Sequence, residues 1–347
     1  MEAIVRRILA GLGAPDLVDQ LGERLPPSDL QSLLLAVMRR RAARATAPGL
    51  LALAERVRLF RPSPVDARRF HAIDGAAFAA AAGFEAVALA PVAPLGLDAV
   101  LGRIDPNNVL TALRSAQVVG DPTSSLAIEA ARRRRAARTA EPVRLCTSQQ
   151  TVRLQPLKHP DHTPHFRLFA LVTAGRAAAS FGFERAALAE HLRVQLDLLR
   201  RFGELGYRFD DVEVTVSDTE VVRALRERGL PLPPAIADVE GELAALRDGP
   251  AATAVRRLAR MATDVVAPLA AEWPAVRFRI DGGRLHAVEY YAGPCLHVTA
   301  RDRDGAEMLL GDGGLVPWTA ALLADDKERF FASGLGLELV AKKFGPA

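Results

Sequence analysis

The sequence has few cysteines and no long uninterrupted hydrophobic run. Its two cysteines, Cys146 and Cys295, give neither a disulfide framework nor the spacing of a metal-binding motif. No apolar run approaches the roughly 20 residues of a membrane-spanning helix, and the N-terminus lacks the apolar stretch and cleavage site of a secretory signal. We therefore expect a cytoplasmic protein with reduced thiols and no membrane association.

The charge composition does not favour a dedicated nucleic-acid-binding protein. The formal net charge is only +4 in 347 residues, because 45 basic residues are nearly balanced by 41 acidic ones. Half of the residues are hydrophobic. The chain can therefore bury a sizeable core, either as one large domain or as a domain with an appendage.

The first 60 residues have a pattern of their own. Apolar residues recur there at helical spacing in short segments, which glycine or proline separates at residues 11–15, 26–27 and 48–49. Residues 60–64, Phe-Arg-Pro-Ser-Pro, exclude a continuing helix and predict a linker. We therefore predict a helical appendage at residues 1–60 and a core at residues 61–347.

In the centre of the chain, residues 143–173 predict two strands that flank a proline-rich loop. Arg153, near the end of the first strand, offers a planar cation suited to a phosphate, and Gln155 follows on the same face. On the second strand His165 and Phe169 lie four residues apart and share a face. A phosphate and a purine ring would suit this set. Alternatively, Arg153 pairs with a carboxylate, Phe169 lies in the core and His165 caps the loop.

Two further groups of polar residues also have alternative explanations. Asp121 or Thr123 can cap the helix that is predicted to begin near Ser124. In the central loop, imidazoles with a carboxylate can hold zinc, but a loop broken by prolines fixes no tetrahedral geometry. These loop residues are His159, Asp161, His162 and His165. We assign no metal ligand from the sequence.

The last third of the chain predicts short strands bounded by turns. These strands would form an antiparallel meander over residues 276–280, 285–291, 295–299 and 307–310, with Gly282 and Gly283 in its first turn. Residues 333–343 predict a glycine-spaced strand that enters a helix.

The central hairpin resembles motif 2 of the class II aminoacyl-tRNA synthetases, in which an Arg-x-Glu strand end, a loop and a His-or-Arg-x-x-x-Phe strand start hold ATP. The resemblance implies that Arg153 and His165 are catalytic and contact the α-phosphate and the outer phosphates. It implies that Gln155 binds the adenine amino group and Phe169 the adenine face. The cofactors would be ATP and Mg²⁺, with Glu307 or Glu338 as a contributor to their site.

Other segments resemble further motifs of the same family, in the same order. The helix and strand of residues 66–91 are similar to motif 1, the dimer interface, and residues 333–343 are similar to motif 3. Two segments are similar to the histidyl branch in particular, which implies a site for an amino-acid-like ligand. Its binding residues would be Asp121, Thr123, Tyr290 and Tyr291.

The sequence also departs from the family pattern. His286 stands where the histidyl signature has its catalytic arginine, and Leu339 stands where motif 3 has its own. Arg284, or Lys342 and Lys343, are candidates to replace these phosphate-binding cations. No anticodon-binding domain follows motif 3 in this sequence, so we do not expect the protein to charge tRNA in translation.

Together these features predict an α+β fold of the class II synthetase type, an antiparallel sheet flanked by helices, as a homodimer. The predicted function is ATP-dependent activation of an amino acid or a related small carboxylate as an adenylate, outside translation. The alternative is a non-catalytic, amino-acid-sensing subunit that resembles the regulatory subunit of ATP phosphoribosyltransferase and binds a catalytic partner protein. A third interpretation is an RNA-binding paralogue that uses its arginine runs.

Overall fold

The structure, a computed structural model, describes residues 2–137, 141–156 and 163–346. In these ranges the strands are β1 (Glu85–Ala86), β2 (Val92–Pro94), β3 (Thr111–Ala112), β4 (Ala116–Val118), β5 (Val143–Val152), β6 (His165–Arg176), β7 (Asp210–Asp218), β8 (Arg277–Ile280), β9 (Pro294–Arg301), β10 (Glu307–Val316) and β11 (Glu328–Gly336).

The α-helices of the same ranges are α1 (Glu2–Leu12), α2 (Leu17–Asp19), α3 (Pro27–Ala42), α4 (Ala47–Arg56), α5 (Ala67–Ala80), α6 (Leu97–Val100), α7 (Pro122–Ala137), α8 (Gly182–Glu204), α9 (Thr219–Glu227), α10 (Val239–Glu242), α11 (Ala252–Met261), α12 (Ala267–Glu272), α13 (Trp318–Leu323) and α14 (Leu337–Lys343). Among the described residues, no helix combines the length and the hydrophobicity needed to cross a membrane.

One large sheet organises the core. Its eight strands lie in the order β1-β5-β6-β11-β10-β9-β7-β8, and β2, β4 and β3 form a second, small sheet. The six central strands, from β5 to β7 in this order, all pair antiparallel with their neighbours. The two edge strands pair in parallel, β1 with β5 and β8 with β7. The predicted α+β class with a mostly antiparallel sheet is therefore confirmed.

Both faces of the sheet are covered, because its central strands are apolar on both sides. On β6, Phe169 and Leu171 pack into a core cluster with α5, α8 and α11. The alternate residues Ala170 and Val172 pack into a second cluster with α7 and Trp318. This alternation with a period of two residues follows from the pleat of the strand and makes each face of β6 a separate packing surface.

The predicted meander of the last third is partly wrong. Residues 285–291 form turns instead of a strand, and β8 pairs in parallel with β7 at the sheet edge. The glycine pair at residues 282 and 283 therefore starts a loop and not a tight hairpin. That loop passes over the face of the sheet that carries Asp312, and its Arg284 side chain is buried there.

Residues 2–60 are helical, as predicted, and none of the residues in α1 to α4 is buried. A chain that begins at Arg58 is expected to have an unfolding free energy within about 1 kcal/mol of that of the full chain, because no buried side chain is lost. Urea unfolding of the two proteins measures this difference. A much larger loss would show that the N-terminal helices belong to the folding unit of the core.

Candidate functional site

The register of the central hairpin decides which side chains face the open side of the sheet. Thr151 pairs with Phe166, and the Arg153 amide donates to the Pro164 carbonyl at 2.7 Å. Directly paired residues of antiparallel strands present their side chains on the same face. Arg153 therefore lies on the face of Phe166 and Leu168, and its guanidinium carbon is 5.6 Å from the centre of the Phe166 ring.

Two partners hold the Arg153 guanidinium in place. Its Nε donates to the Gly120 carbonyl at 2.7 Å, and its Nη2 lies 3.4 Å from Asp121 Oδ2. The alternative in which Arg153 pairs with a carboxylate is thus realised. The side chain is only partly buried and lines two adjoining cavities.

The first cavity has a volume of about 450 Å³ and lies over the middle of the sheet. Space exists there because Ala170 and Gly334, which are paired on β6 and β11, have small side chains or none. The start of α7 and the turn of residues 286–291 form the walls. All four residues predicted to bind the substrate line this cavity: Asp121, Thr123, Tyr290 and Tyr291.

Asp121 serves two purposes at the start of α7. Its Oδ1 accepts hydrogen bonds from the Thr123 amide at 2.9 Å and from the Thr123 hydroxyl at 2.7 Å, which is the predicted capping geometry. Its Oδ2 faces Arg153. A carboxylate positioned in this way at the cavity wall can accept a hydrogen bond from an ammonium group of a ligand.

The sequence did not indicate the carboxylate that supports this turn from behind. Asp98 is buried; it accepts hydrogen bonds from the Ser124 hydroxyl at 2.5 Å and from the Gly120 amide at 3.1 Å. Burial raises the pKa of Asp98. Asp98 therefore positions the Gly120 carbonyl, which in turn holds Arg153.

The opposite end of the first cavity is built around Asp312 on β10. Its Oδ1 accepts from Arg284 Nη2 at 2.8 Å and from the Tyr291 hydroxyl at 3.0 Å. The Arg284 guanidinium also donates to the backbone carbonyls of His286 and Leu296, both at 3.0 Å, and lies 5.3 Å from the centre of the Tyr291 ring. Because these contacts bury Arg284, it positions the turn, and the expectation that it replaces a phosphate-binding arginine is wrong.

Two histidines flank Asp312. His297 on β9 is paired with Asp312 across the sheet, and its ring is largely buried; burial and the nearby Arg284 lower its pKa to about 4. His286 is exposed at the edge of the cavity. Sequence reasoning missed this group, because its members lie on two strands and a turn and share no local spacing.

The second cavity, of about 260 Å³, lies on the other side of Arg153. Its wall is mostly apolar, with Phe166 and Leu168, and Gln155 stands at its edge. Glu338, the predicted contributor to the site of ATP and Mg²⁺, also lines it. The Glu338 carboxylate is buried, and its Oε1 accepts from the Ser63 hydroxyl and from Lys342 Nζ, both at 2.8 Å.

The structure corrects the predictions for Phe169 and His165. Phe169 is buried in the core, edge-to-face with Phe78 at 5.6 Å, and lines neither cavity. The His165 ring is bound to the Gln150 side chain at 3.2 Å and to the Arg61 carbonyl at 2.6 Å. The physical reason is the hairpin register, which places residues 165 and 169 on the face opposite Arg153. The loop residues His159, Asp161 and His162, considered for zinc, lie outside the described residues.

A glycine on β10 makes room for the aromatic wall of the first cavity. A Cβ at Gly314 would lie 2.6 Å from Tyr291 Cδ1 and 2.7 Å from Cys295 Cβ. Gly314→Ala is therefore expected to cost about 1–3 kcal/mol of unfolding free energy and to displace Tyr291. Urea unfolding and tyrosine absorption measure the two effects.

Gly75→Ala is the matched control for this substitution. Gly75 lies in α5, and no atom is found within 4 Å of the added Cβ. The helical position predicts a gain of about 0.5–1 kcal/mol. A Gly314→Ala protein as stable as the parent would contradict the close packing of Tyr291.

No family model and no curated protein matches the sequence, whereas many solved structures match the fold. A histidine–tRNA ligase subunit from Alicyclobacillus acidocaldarius is 18% identical, with a TM-score of 0.58 over 81% of this chain and 94% of that chain. An ATP phosphoribosyltransferase regulatory subunit/histidyl-tRNA synthetase from Bacillus halodurans is 15% identical, with a TM-score of 0.55 over 81% and 82%. The chain has the class II synthetase fold. Histidyl-tRNA synthetase from Nostoc gives a similar result, 14% identity and a TM-score of 0.56 over 79% and 69%.

The class II fold gives the motifs a place in the structure. The motif 2 segment is the β5–β6 hairpin, and the motif 3 segment is the end of β11 with α14. Leu339, which stands at the motif 3 arginine position, lines both cavities. The departures from the family pattern thus lie at the site itself, where Leu339 is apolar and His286 is an exposed imidazole.

Proposed function

We propose that this protein activates an amino acid, or a related small carboxylate that carries an amine, as an adenylate. One observation carries the proposal: Arg153 lines both the polar cavity and the adjoining apolar cavity. In adenylate formation a carboxylate oxygen bonds to the α-phosphorus of ATP, and the bond to pyrophosphate breaks. A fixed guanidinium between a carboxylate site and an adenosine site is positioned for that phosphate.

The lining of each cavity suits one of the two reactants. In the first, Asp121 and Thr123 provide a carboxylate and a hydroxyl for the amine of the substrate. In the second, Phe166 and Leu168 provide apolar contacts for adenine, in place of Phe169, and Gln155 offers an amide for its amino group. Arg153 would be the catalytic residue, since it is the one charged side chain among these that lines both cavities.

The second cavity also fits the magnesium that accompanies ATP. Glu338 presents a buried carboxylate there, and its Oε2 has no hydrogen-bond partner among the described residues. A hard divalent cation prefers such oxygen ligands together with phosphates. When bound, Mg²⁺ would neutralise phosphate charge. Glu338 would then hold the ion while Lys342, now its ion-pair partner, faces the phosphates.

We expect turnover to be slow. His286 and Leu339 replace two arginines that would stabilise charge on the phosphate, and each such donor is worth roughly 3 kcal/mol in comparable sites. We expect the substrate to be a small carboxylate that carries an amine, because the first cavity has a volume of about 450 Å³.

Pyrophosphate exchange tests the proposal. The purified protein is incubated for hours with ATP, Mg²⁺, labelled pyrophosphate and each of a panel of amino acids and small amino carboxylates. Label entering ATP with one of them is the expected result, and Asp121→Asn should raise the KM for that substrate more than it lowers kcat. Absence of exchange, together with no ATP uptake in calorimetry, would reject the proposal.

A second candidate function is that of a sensing subunit without catalytic activity. It is favoured by Leu339, which lines both cavities at the position where motif 3 has its arginine. Such a protein would keep the amine site of Asp121 but lose catalysis, and it would pass its signal to a catalytic partner protein. The exposed apolar side chains of α1 and α3, among them Ile8 and Val37, offer a surface for that partner. Amino-acid binding without ATP, and a partner that co-purifies, would support this candidate.

Two proposals about assembly come from the class II fold. The helix and strand of the motif 1 segment, α5 and β1, would form a homodimer interface, which light scattering of the purified protein tests. We propose no tRNA partner, since the 45 basic residues are nearly balanced by acidic ones. Strongly salt-dependent retention of tRNA would contradict this view.

A further inference from the structure

We propose that His286, His297 and Asp312 bind a divalent transition-metal ion, of the Zn²⁺ class, on the floor of the first cavity. Two imidazoles and a carboxylate are a common ligand set for such ions. The proposal does not depend on adenylation, because the metal is measured without ATP or an amino acid.

The sheet and the turn bring the three side chains together. Asp312 and His297 are directly paired on β10 and β9, so their side chains stand side by side on the cavity face. The turn held by Arg284 places His286 above them, with the two imidazole centres 5.4 Å apart. Each ligand thus comes from a different element.

The distances are close to those of a tetrahedral site. His286 Nδ1 lies 3.7 Å from Asp312 Oδ2, and His297 Nε2 lies 3.6 Å from the other oxygen of that carboxylate, Oδ1. With one ligand atom taken from each residue, the three atoms all lie within 4.8 Å of one another. Bonds of about 2.0–2.1 Å in a tetrahedron require ligand atoms about 3.4 Å apart. The His286 side chain is exposed and can rotate to bring its ring nitrogen to that separation. Three protein ligands leave the fourth position of the ion open towards the cavity.

The buried ring of His297 is a second observation that supports a metal site. Its Nε2 is buried and has no hydrogen-bond partner among the described residues. A buried ring nitrogen without a partner destabilises the folded protein, and a bound metal ion would provide that partner.

Arg284 does not prevent cation binding at this site. Its guanidinium forms an ion pair with Asp312 and donates hydrogen bonds to the backbone carbonyls of His286 and Leu296. Arg284 and the Tyr291 hydroxyl both donate to Oδ1 of Asp312, which orients the carboxylate and leaves Oδ2 for the metal. Ligating carboxylates are commonly held by such hydrogen bonds.

The position of the ion indicates what it would bind. It lies in the same cavity as Asp121, at the end formed by Asp312. A small molecule with an amine at one end and a metal-binding group, such as a carboxylate, hydroxyl or imidazole, at the other would span the two.

Metal titration of the tag-free full chain tests the proposal. After dialysis against chelator, Co²⁺ is added and followed by its visible absorption, and Zn²⁺ is added and followed by calorimetry. We expect one equivalent of each to bind. His286→Ala and His297→Gln should each weaken binding by more than about 100-fold, beyond the effect of losing a supporting contact. The control His71→Ala, an exposed histidine of α5, should leave binding unchanged.

A metal ion could instead bind the loop histidines His159 and His162, and a second experiment distinguishes the two locations. Loss of binding in the double variant His159→Ala/His162→Ala, with full binding in His286→Ala, would overturn the proposal. So would the absence of binding at millimolar metal in the parent protein. His286 is exposed, so its variant is expected to fold; circular dichroism of each variant checks this.

Discussion

Arg153→Ala is expected to lower the rate of substrate-dependent pyrophosphate exchange by about 10²–10³-fold. The guanidinium would meet the charge that develops on the α-phosphate, and no other arginine lines both cavities among the described residues. The loss should be mainly in kcat, because the interaction strengthens in the transition state. Exchange assays at saturating ATP measure it.

Arg144→Ala provides the matched control on the same hairpin. Arg144 lies on β5 and faces the other side of the sheet, where its Nε donates to Glu190 at 2.5 Å, and it lines neither cavity. This variant should lose some stability but keep its exchange activity. Equal loss in both variants would mean that the hairpin, and not the guanidinium, is required. Full activity of Arg153→Ala would show that Arg153 has no catalytic role.

The order of elements could be predicted from the sequence because it depends on local patterns. The helical spacing of residues 1–60, the proline-rich hairpin of residues 143–173 and the strand and helix of residues 333–343 are each contained in one segment. The class II fold follows from the sequence of such segments along the chain. The amine end of the first cavity could be predicted for the same reason, since Asp121 and Thr123 are neighbours.

The hairpin register could not be predicted, and this explains the errors at His165 and Phe169. The side-chain period of a strand is two, so a difference of one residue in pairing exchanges the two faces. β6 has apolar residues on both faces and β5 has polar residues on both faces, so the sequence contains no signal that selects one register. Phe166 is therefore found where Phe169 was expected.

The Asp312 end of the cavity was missed because it depends on long-range pairing. His297, Asp312 and Arg284 come together only when β9 and β10 pair and the turn folds over them. The local pattern of residues 285–291, with Val288 between tyrosines and leucine, favours a strand. The buried hydrogen bonds of Arg284 hold it as turns instead.

Arg257→Ala is expected to lower the unfolding free energy by about 3–5 kcal/mol near pH 8. Arg257 on α11 donates to both oxygens of Asp218, at 2.7 and 3.0 Å, and to Glu220 at 2.9 Å. Asp218 is fully buried. Its removal from water is compensated mainly by Arg257, so the variant leaves an unpaired buried carboxylate. Urea unfolding over a range of pH measures the loss.

The pH dependence of this loss has a defined sign. Burial already raises the pKa of Asp218 above its ordinary value of 3.8, and without Arg257 the pKa in the folded state rises further. The folded variant then binds a proton more tightly than the unfolded chain does. Its stability should therefore be highest in acid, and it should fall as the pH rises from 3.8 through the folded pKa.

Two comparisons separate this buried pair from an ordinary ion pair. Arg301→Ala removes a pair with Asp211 whose side chains are 47% and 58% exposed, and it should cost less than about 1 kcal/mol. Adding Asp218→Asn to Arg257→Ala should restore part of the stability and remove the fall with pH, because no buried charge remains. Thr219, next to Asp218, donates to the Tyr291 carbonyl at 2.9 Å, so the Arg257 variant should also disturb the tyrosine wall of the first cavity. If Arg257→Ala and Arg301→Ala lose equal stability, the Asp218 carboxylate is hydrated and the buried pair does not hold α11 to the sheet.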